Sequence, residues 1–160
     1  MMPPGLETIL RISLAVMVLA VLGLISYRDA KTSEIPDALN LSLLVLGLVA
    51  MVVQAEPGWL SRLIGSVAVS GPLLLLVMAR PGSLGGGDVK LMAAAGLLLG
   101  WQNVLLAASI GILLAGAYAL WLMTAKQASP KDRFPFGPAL CAGIAVAFLF
   151  GPAIISWLFP

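Results

Sequence analysis

Apolar residues fill most of this chain in long runs that are separated by short polar stretches. About six such runs stand out, and each approaches the roughly 20 residues that an α-helix needs to cross a bilayer. We therefore predict an all-α polytopic membrane protein with about six transmembrane helices. The predicted segments are Leu6–Tyr27, Asp37–Val53, Trp59–Met78, Asp88–Leu99, Asn103–Met123 and Phe136–Phe159.

Two of these segments depart from a simple membrane span. The first is longer than the apolar part of a signal peptide and has no small-x-small cleavage site before Tyr27, so we expect a retained helix. The fourth is short, and we expect its first residue, Asp88, to lie embedded in the protein rather than at its surface. The whole chain, residues 1–160, is expected to form a single integral-membrane domain.

The composition agrees with a lipid environment. The chain has 160 residues, of which 61% are hydrophobic and 10% charged, whereas a soluble domain carries about 25% charged residues. The net charge of +2 comes from scattered loop residues and not from a basic patch, so we expect the lipid bilayer, and no nucleic acid, as a partner. The chain has no histidine and a single cysteine, Cys141. This excludes His- or Cys-based zinc sites, disulfide frameworks and thiol–histidine catalysis. We predict no metal and no cofactor, and we expect Cys141 to be a packing residue.

The basic residues orient the chain across the membrane. Cytoplasmic loops carry an excess of lysine and arginine, and seven of the nine basic residues lie between or flank predicted helices one and two, three and four, or five and six, on one side of the membrane. Both termini are therefore predicted to be extracytoplasmic, with Asp29 and Asp88 on the cytoplasmic side. Arg11 and Arg62 are the exceptions, and we expect their long side chains to reach the interface by snorkelling. The seven residues are Arg28, Lys31, Arg80, Lys90, Lys126, Lys131 and Arg133.

Small residues recur inside the predicted spans. Gly96 with Gly100, and Ala107 with Gly111, have the small-x-x-x-small spacing that lets membrane helices approach closely. We expect general helix packing at these positions and not a dedicated dimer motif.

Two carboxylates mark the candidate chemistry. Asp88 opens a membrane helix after three glycines, Gly85–Gly87, and Asp29 follows the first apolar run. An ionisable residue at membrane depth is costly and suggests a functional site. Each aspartate alone has a structural explanation, as a helix cap or a loop charge. The two together, on one side of a protein that lacks other catalytic side chains, favour chemistry.

A close pair of carboxyl groups suits peptide hydrolysis. Two neighbouring carboxylates do not both ionise easily, so one tends to keep its proton. The ionised group can then take a proton from water, while the neutral group donates to the substrate carbonyl. Such an enzyme needs its substrate extended, and a glycine-lined edge would help to bind it.

Three motifs resemble those of the type IV prepilin peptidases, which are GxGD aspartyl membrane proteases. Residues 29–37, DAKTSEIPD, followed by Asn40, resemble the first aspartate motif of this family. Residues 85–90, GGGDVK, resemble the GxGDxK signature, and residues 135–139, PFGPA, resemble an element before the last helix. The three motifs occur in order across nearly the whole chain.

The resemblance implies an aspartic endopeptidase in the cytoplasmic membrane that removes the basic leader of prepilin-like substrates at the cytoplasmic face. Asp29 and Asp88 match the catalytic pair, and Lys90 matches a recurrent lysine for which we expect a role in charge balance or positioning. Longer family members carry an N-terminal region with paired cysteines that is associated with N-methylation. We expect a short form without methyl transfer, similar to the peptidases of tight-adherence (Flp-type) pili or of preflagellins. The residues expected to shape the site or bind substrate are Gly85, Gly86, Gly87, Lys90, Ile35, Pro36, Asp37, Pro135, Phe136 and Gly137.

Two alternatives remain open at this stage. A presenilin-like protease also uses a GxGD element, although its members are longer and the Ile35-Pro36 context fits the prepilin group better. A small proton- or ion-coupled transporter could use both aspartates to bind cations, but it predicts repeated halves, and none is visible in the sequence.

Overall fold

The fold is a bundle of α-helices. The structure is a computed structural model, and it describes residues 4–54, 56–80, 84–125 and 136–158. These residues form seven helices and no strand. The all-α membrane fold is thereby confirmed. The helices are α1 (Pro4–Thr32), α2 (Asp37–Val53), α3 (Trp59–Ala68), α4 (Ser70–Ala79), α5 (Gly86–Leu99), α6 (Trp101–Ala125) and α7 (Gly137–Leu158).

The helices follow the predicted apolar segments, with one difference. The third predicted segment is divided at Val69 into α3 and α4. Pro72 explains this break, because proline has no N–H to donate to the carbonyl four residues earlier, which is that of Ala68, and its ring clashes with that carbonyl. Val69 itself keeps a right-handed conformation. The two halves therefore remain one apolar helical segment, Trp59–Ala79.

The helices differ in whether they can cross a bilayer. Among the described residues, α1, the α3–α4 segment, α6 and α7 are long and apolar enough to do so. Helix α2 has 17 residues and α5 has 14. At about 1.5 Å per residue, both helices are shorter than the roughly 30 Å hydrocarbon core. The protein is thus a multi-pass membrane protein in which two of the helices are short.

Helix α5 is the centre of the bundle. It packs against α2, α3, α4, α6 and α7, and every residue from 94 to 99 is buried. The other helices expose apolar side chains, such as Val16 of α1, Leu75 of α4 and Leu113 of α6, on the outside of the bundle. The helix that begins next to Asp88 is therefore surrounded by protein, and the helices around it provide the lipid-facing surface.

Glycine and alanine allow these helices to touch backbone to backbone. A Cβ atom on Gly96 of α5 would overlap the carbonyl oxygen of Gly65 in α3. A Cβ atom on Gly143 of α7 would likewise overlap the carbonyl oxygen of Ala107 in α6. The small residues therefore act in helix packing within the chain, as the sequence predicted.

The expectation that Arg62 snorkels to the interface is wrong. Arg62 is 0% exposed, and its guanidinium donates hydrogen bonds to the carbonyl oxygens of Leu98 at 2.7 Å, Leu97 at 3.1 Å and Pro57 at 2.8 Å. The last carbonyls of a helix have no intrahelical partner and lie at the negative end of the helix dipole. The carbonyl oxygens at the end of α5 therefore accept the hydrogen bonds that water would otherwise accept from this cation.

Candidate active site

Asp29 lies in the last turns of α1 and is buried, with 5% of its surface exposed. Its Oδ2 atom accepts a hydrogen bond of 2.9 Å from the backbone N–H of Gly137, the first residue of α7. N–H groups in the first turn of a helix have no intrahelical acceptor and carry partial positive charge. A Cβ atom on Gly137 would lie 2.7 Å from Asp29 Oδ2, so only glycine allows this contact without a shift.

Asp88 lies in the first turn of α5 and is equally buried, with 6% exposed. Its Oδ2 atom accepts a hydrogen bond of 3.3 Å from the N–H of Gly85, which caps the helix. Its Oδ1 atom is buried and accepts no hydrogen bond from the described residues. One carboxyl oxygen of Asp88 thus caps the start of α5, and the other carboxyl oxygen is left available to take part in chemistry.

The two aspartates come together at one end of the bundle. Their carboxyl groups are close enough to interact electrostatically, although they lie 59 positions apart along the chain. Cys141 of α7 is also buried, one turn after Gly137, whose N–H contacts Asp29. Both acids were predicted on one side of the membrane and Cys141 was expected to be a packing residue; the structure shows that it packs in the core one turn away from the contact with Asp29.

The glycine turn before Asp88 packs against the segment that leads into α2. A Cβ atom on Gly87 would lie 2.9 Å from the Cβ atom of Ile35, whereas one on Gly86 would meet nothing within 4 Å. Gly85 and Gly86 are exposed. The turn therefore has one face closed against Ile35 and another face open, where a peptide backbone can approach.

Asn40 is a polar residue of this region to which the sequence assigned no role of its own. It lies in the first turns of α2, is buried, and donates a hydrogen bond of 3.2 Å from Nδ2 to the carbonyl oxygen of Gly87. The signal available in the sequence was a carboxamide near the start of a mostly apolar helix.

Lys90 and Asp37 form an ion pair at the rim of the site. The distance from Lys90 Nζ to Asp37 Oδ1 is 2.7 Å, and both side chains are largely exposed. Helix α2 begins at Asp37, directly after Pro36. The pair joins the start of α2 to the second turn of α5, and the contribution of such an exposed pair to stability is small, about 0–1 kcal/mol.

The remaining predicted residues lie nearby or outside the described part of the chain. Phe136 is partly buried and packs against the core. Pro135 and three of the loop basic residues, Lys126, Lys131 and Arg133, lie outside the described residues. Within the described residues, no group of three or more His, Cys, Asp or Glu side chains could hold a metal ion.

Comparison with known proteins gives a consistent family assignment. Residues 16–120 match the model of the type IV leader peptidase family. The chain is 30% identical over 145 residues to the prepilin leader peptidase/N-methyltransferase of Bacillus subtilis (strain 168), covering 89% of this chain and 58% of that protein. It is 30% identical over 156 residues to the protein of the same name from Legionella pneumophila, covering 91% and 53%.

A third relative with this name, from Burkholderia pseudomallei (strain K96243), is 34% identical over 134 residues, covering 77% of this chain and 41% of that protein. The chain therefore spans about half the length of the curated relatives that it matches. No solved structure matches it significantly. Because the family model covers most of the chain, including both aspartates, the chain belongs to the type IV leader peptidase family.

Proposed function

We propose that this chain is an aspartic endopeptidase of the cytoplasmic membrane that removes the basic leader from type IV prepilin-like precursors at the cytoplasmic face. The observation that carries the proposal is the meeting of Asp29 and Asp88, two buried acids from separate helices, beside an open glycine turn. Membership of a leader peptidase family supports the substrate class.

The reaction needs one ionised and one neutral carboxyl group. The ionised carboxylate takes a proton from water as the water oxygen attacks the carbonyl carbon, and the neutral acid gives its proton to the carbonyl oxygen. The tetrahedral intermediate then collapses: the C–N bond breaks, the leaving nitrogen takes up the proton that came from water, and a hydroxyl of the intermediate returns its proton to the other carboxylate, which restores one neutral and one ionised acid. The backbone donors at Gly137 and Gly85 hold one oxygen of each carboxyl group during these transfers.

The substrate is expected to bind partly within the membrane. Its apolar helix would lie in the bilayer beside the bundle, while its basic leader remains in the cytoplasm and the scissile bond reaches the aspartates. An extended backbone could approach at Gly86, where a side chain would meet nothing.

The test is leader removal by single-residue variants. Each of Asp29→Asn and Asp88→Asn would be co-expressed with a Flp-type prepilin, and processing would be followed on a gel and by mass spectrometry of the new N-terminus. Loss of a catalytic acid or base costs about 10²–10⁴-fold, so neither variant should show measurable processing. Glu34→Gln, an exposed acid between α1 and α2, is the matched control and should process normally. Normal processing by either Asp variant would end the two-aspartate mechanism.

A further inference from the structure

Asn40 makes a contact that the chemistry proposed above leaves unexplained. Only 5% of the residue is exposed, and a buried carboxamide in a membrane protein must find hydrogen-bond partners to offset the loss of water. Its Nδ2 atom donates to the carbonyl oxygen of Gly87 at 3.2 Å, across 47 positions of sequence.

The acceptor of this hydrogen bond belongs to the peptide that carries Asp88. The Gly87 carbonyl and the Asp88 nitrogen share one planar peptide unit, so a restraint on that oxygen restrains the start of the Asp88 residue. The same unit is held on its other side, because the Asp88 N–H donates to the Gly85 carbonyl at 3.1 Å. Ile35 packs against the Gly87 Cα atom. Residues before and within α2 thus hold this peptide through both a polar and an apolar contact.

The orientation of the carboxamide follows from this contact. Turning the group over would place its oxygen against the Gly87 carbonyl oxygen, where neither atom can donate. The Oδ1 atom therefore points away from Gly87. It is buried and accepts no hydrogen bond from the described residues, so the contribution of Asn40 to the described structure is its donor group.

We propose that Asn40 is a positioning residue of the peptidase site, and this rests on the proposed function. By holding the Gly87–Asp88 peptide, Asn40 keeps the Asp88 carboxyl group in the place where it meets Asp29. Asn40 acts through Asp88 and does not touch the reacting atoms. Its loss should therefore lower the rate of the chemical step more than it lowers substrate binding.

The chain contains a matched control at the opposite end of α5. Asn103 also donates from Nδ2 at 3.2 Å to a carbonyl oxygen of α5, that of Leu99, and its Oδ1 atom is likewise buried and accepts no bond from the described residues. Leu99 is the last residue of α5, whereas Asp88 lies in its first turn. Asn103→Leu therefore removes an equivalent bond without touching the aspartates.

The experiment compares Asn40→Leu, Asn40→Asp and Asn103→Leu with the wild-type protein in nanodiscs, using a purified Flp-type prepilin and measuring initial cleavage rates over a range of substrate concentrations. Because a displacement near 1 Å can cost about 100-fold in rate, we expect both Asn40 variants to lose about tenfold or more in kcat, with KM changed less than twofold. Asn40→Asp preserves the shape of the side chain but replaces the NH₂ donor, so a loss in this variant assigns the effect to the donor. Asn103→Leu should retain kcat within about twofold.

Hydrogen–deuterium exchange provides a readout that does not depend on cleavage. Exchange in the segment 85–91 should rise in both Asn40 variants and stay unchanged in Asn103→Leu. Wild-type kcat in the Asn40 variants, an equal loss in Asn103→Leu, or unchanged exchange at 85–91 would overturn the positioning role while leaving the aspartate mechanism intact. Absence of cleavage by the wild-type protein would instead remove the proposed function, and the positioning role with it.

Discussion

Gly137→Ala tests how closely Asp29 depends on the start of α7. The new Cβ atom would lie 2.7 Å from Asp29 Oδ2 and 2.8 Å from its Cγ, whereas ordinary van der Waals contact begins at 3.4 Å. Moving the oxygen from 2.7 Å to 3.4 Å requires a shift of about 0.7 Å, and this shift also stretches the 2.9 Å hydrogen bond from the Gly137 N–H.

The size of this displacement sets the expected loss of activity. Since misplacing a reacting group by about 1 Å can cost about 100-fold, we expect Gly137→Ala to lower kcat/KM by about 30- to 100-fold, equivalent to about 2–3 kcal/mol of transition-state stabilisation. The assay is the initial rate of leader removal from a purified Flp-type prepilin in nanodiscs, with thermal unfolding recorded in parallel.

A control glycine separates this effect from a general cost of adding a methyl group. Gly116 of α6 has nothing within 4 Å of its Cβ position, so Gly116→Ala should keep kcat/KM within about twofold. Cleavage by Gly137→Ala at the wild-type rate would refute the reasoning, because it would mean that the reaction tolerates a displaced Asp29 carboxyl group.

Two further substitutions test the surroundings of α5. Gly87→Ala should reduce cleavage by about tenfold or more, because its Cβ atom would lie 2.9 Å from Ile35 Cβ. The control Gly23→Ala in α1, whose Cβ position has nothing within 4 Å, should cleave normally in the same gel assay; equal rates for the two variants would contradict this packing. Arg62→Met leaves the carbonyls of Pro57, Leu97 and Leu98 without their buried donor, so we expect a loss of on the order of 3 kcal/mol in stability, measured as a lower unfolding midpoint in detergent. An unchanged midpoint would show that these carbonyls find other partners.

The local features of the fold could be read directly from the sequence. Helix α2 begins and ends at Asp37 and Val53, as predicted, and the other apolar runs became helices with ends shifted by a few residues or, at Val69, a break. Hydropathy and the length of an apolar run depend only on residues that are neighbours in the sequence. Away from water, the backbone N–H and C=O groups of such a run must bond to each other, and the α-helix allows this within one segment. The close helix contacts at Gly96 and Ala107 were also predicted from the sequence, because small-x-x-x-small spacing is visible in the sequence and lets helices approach closely.

The pairing of distant groups was decided only by the tertiary structure. The sequence marked Asp29 and Asp88 through their unusual context, but it could not show that the partner of Asp29 is a backbone N–H 108 residues away, or that Asn40 holds Gly87. Arg62 was misplaced for the same reason, because its partners are backbone carbonyls at the end of α5. Every residue has a backbone C=O, and every residue except proline has a backbone N–H. A backbone partner therefore leaves no mark in the sequence, and only the packing of the helices determines which backbone group a buried side chain meets.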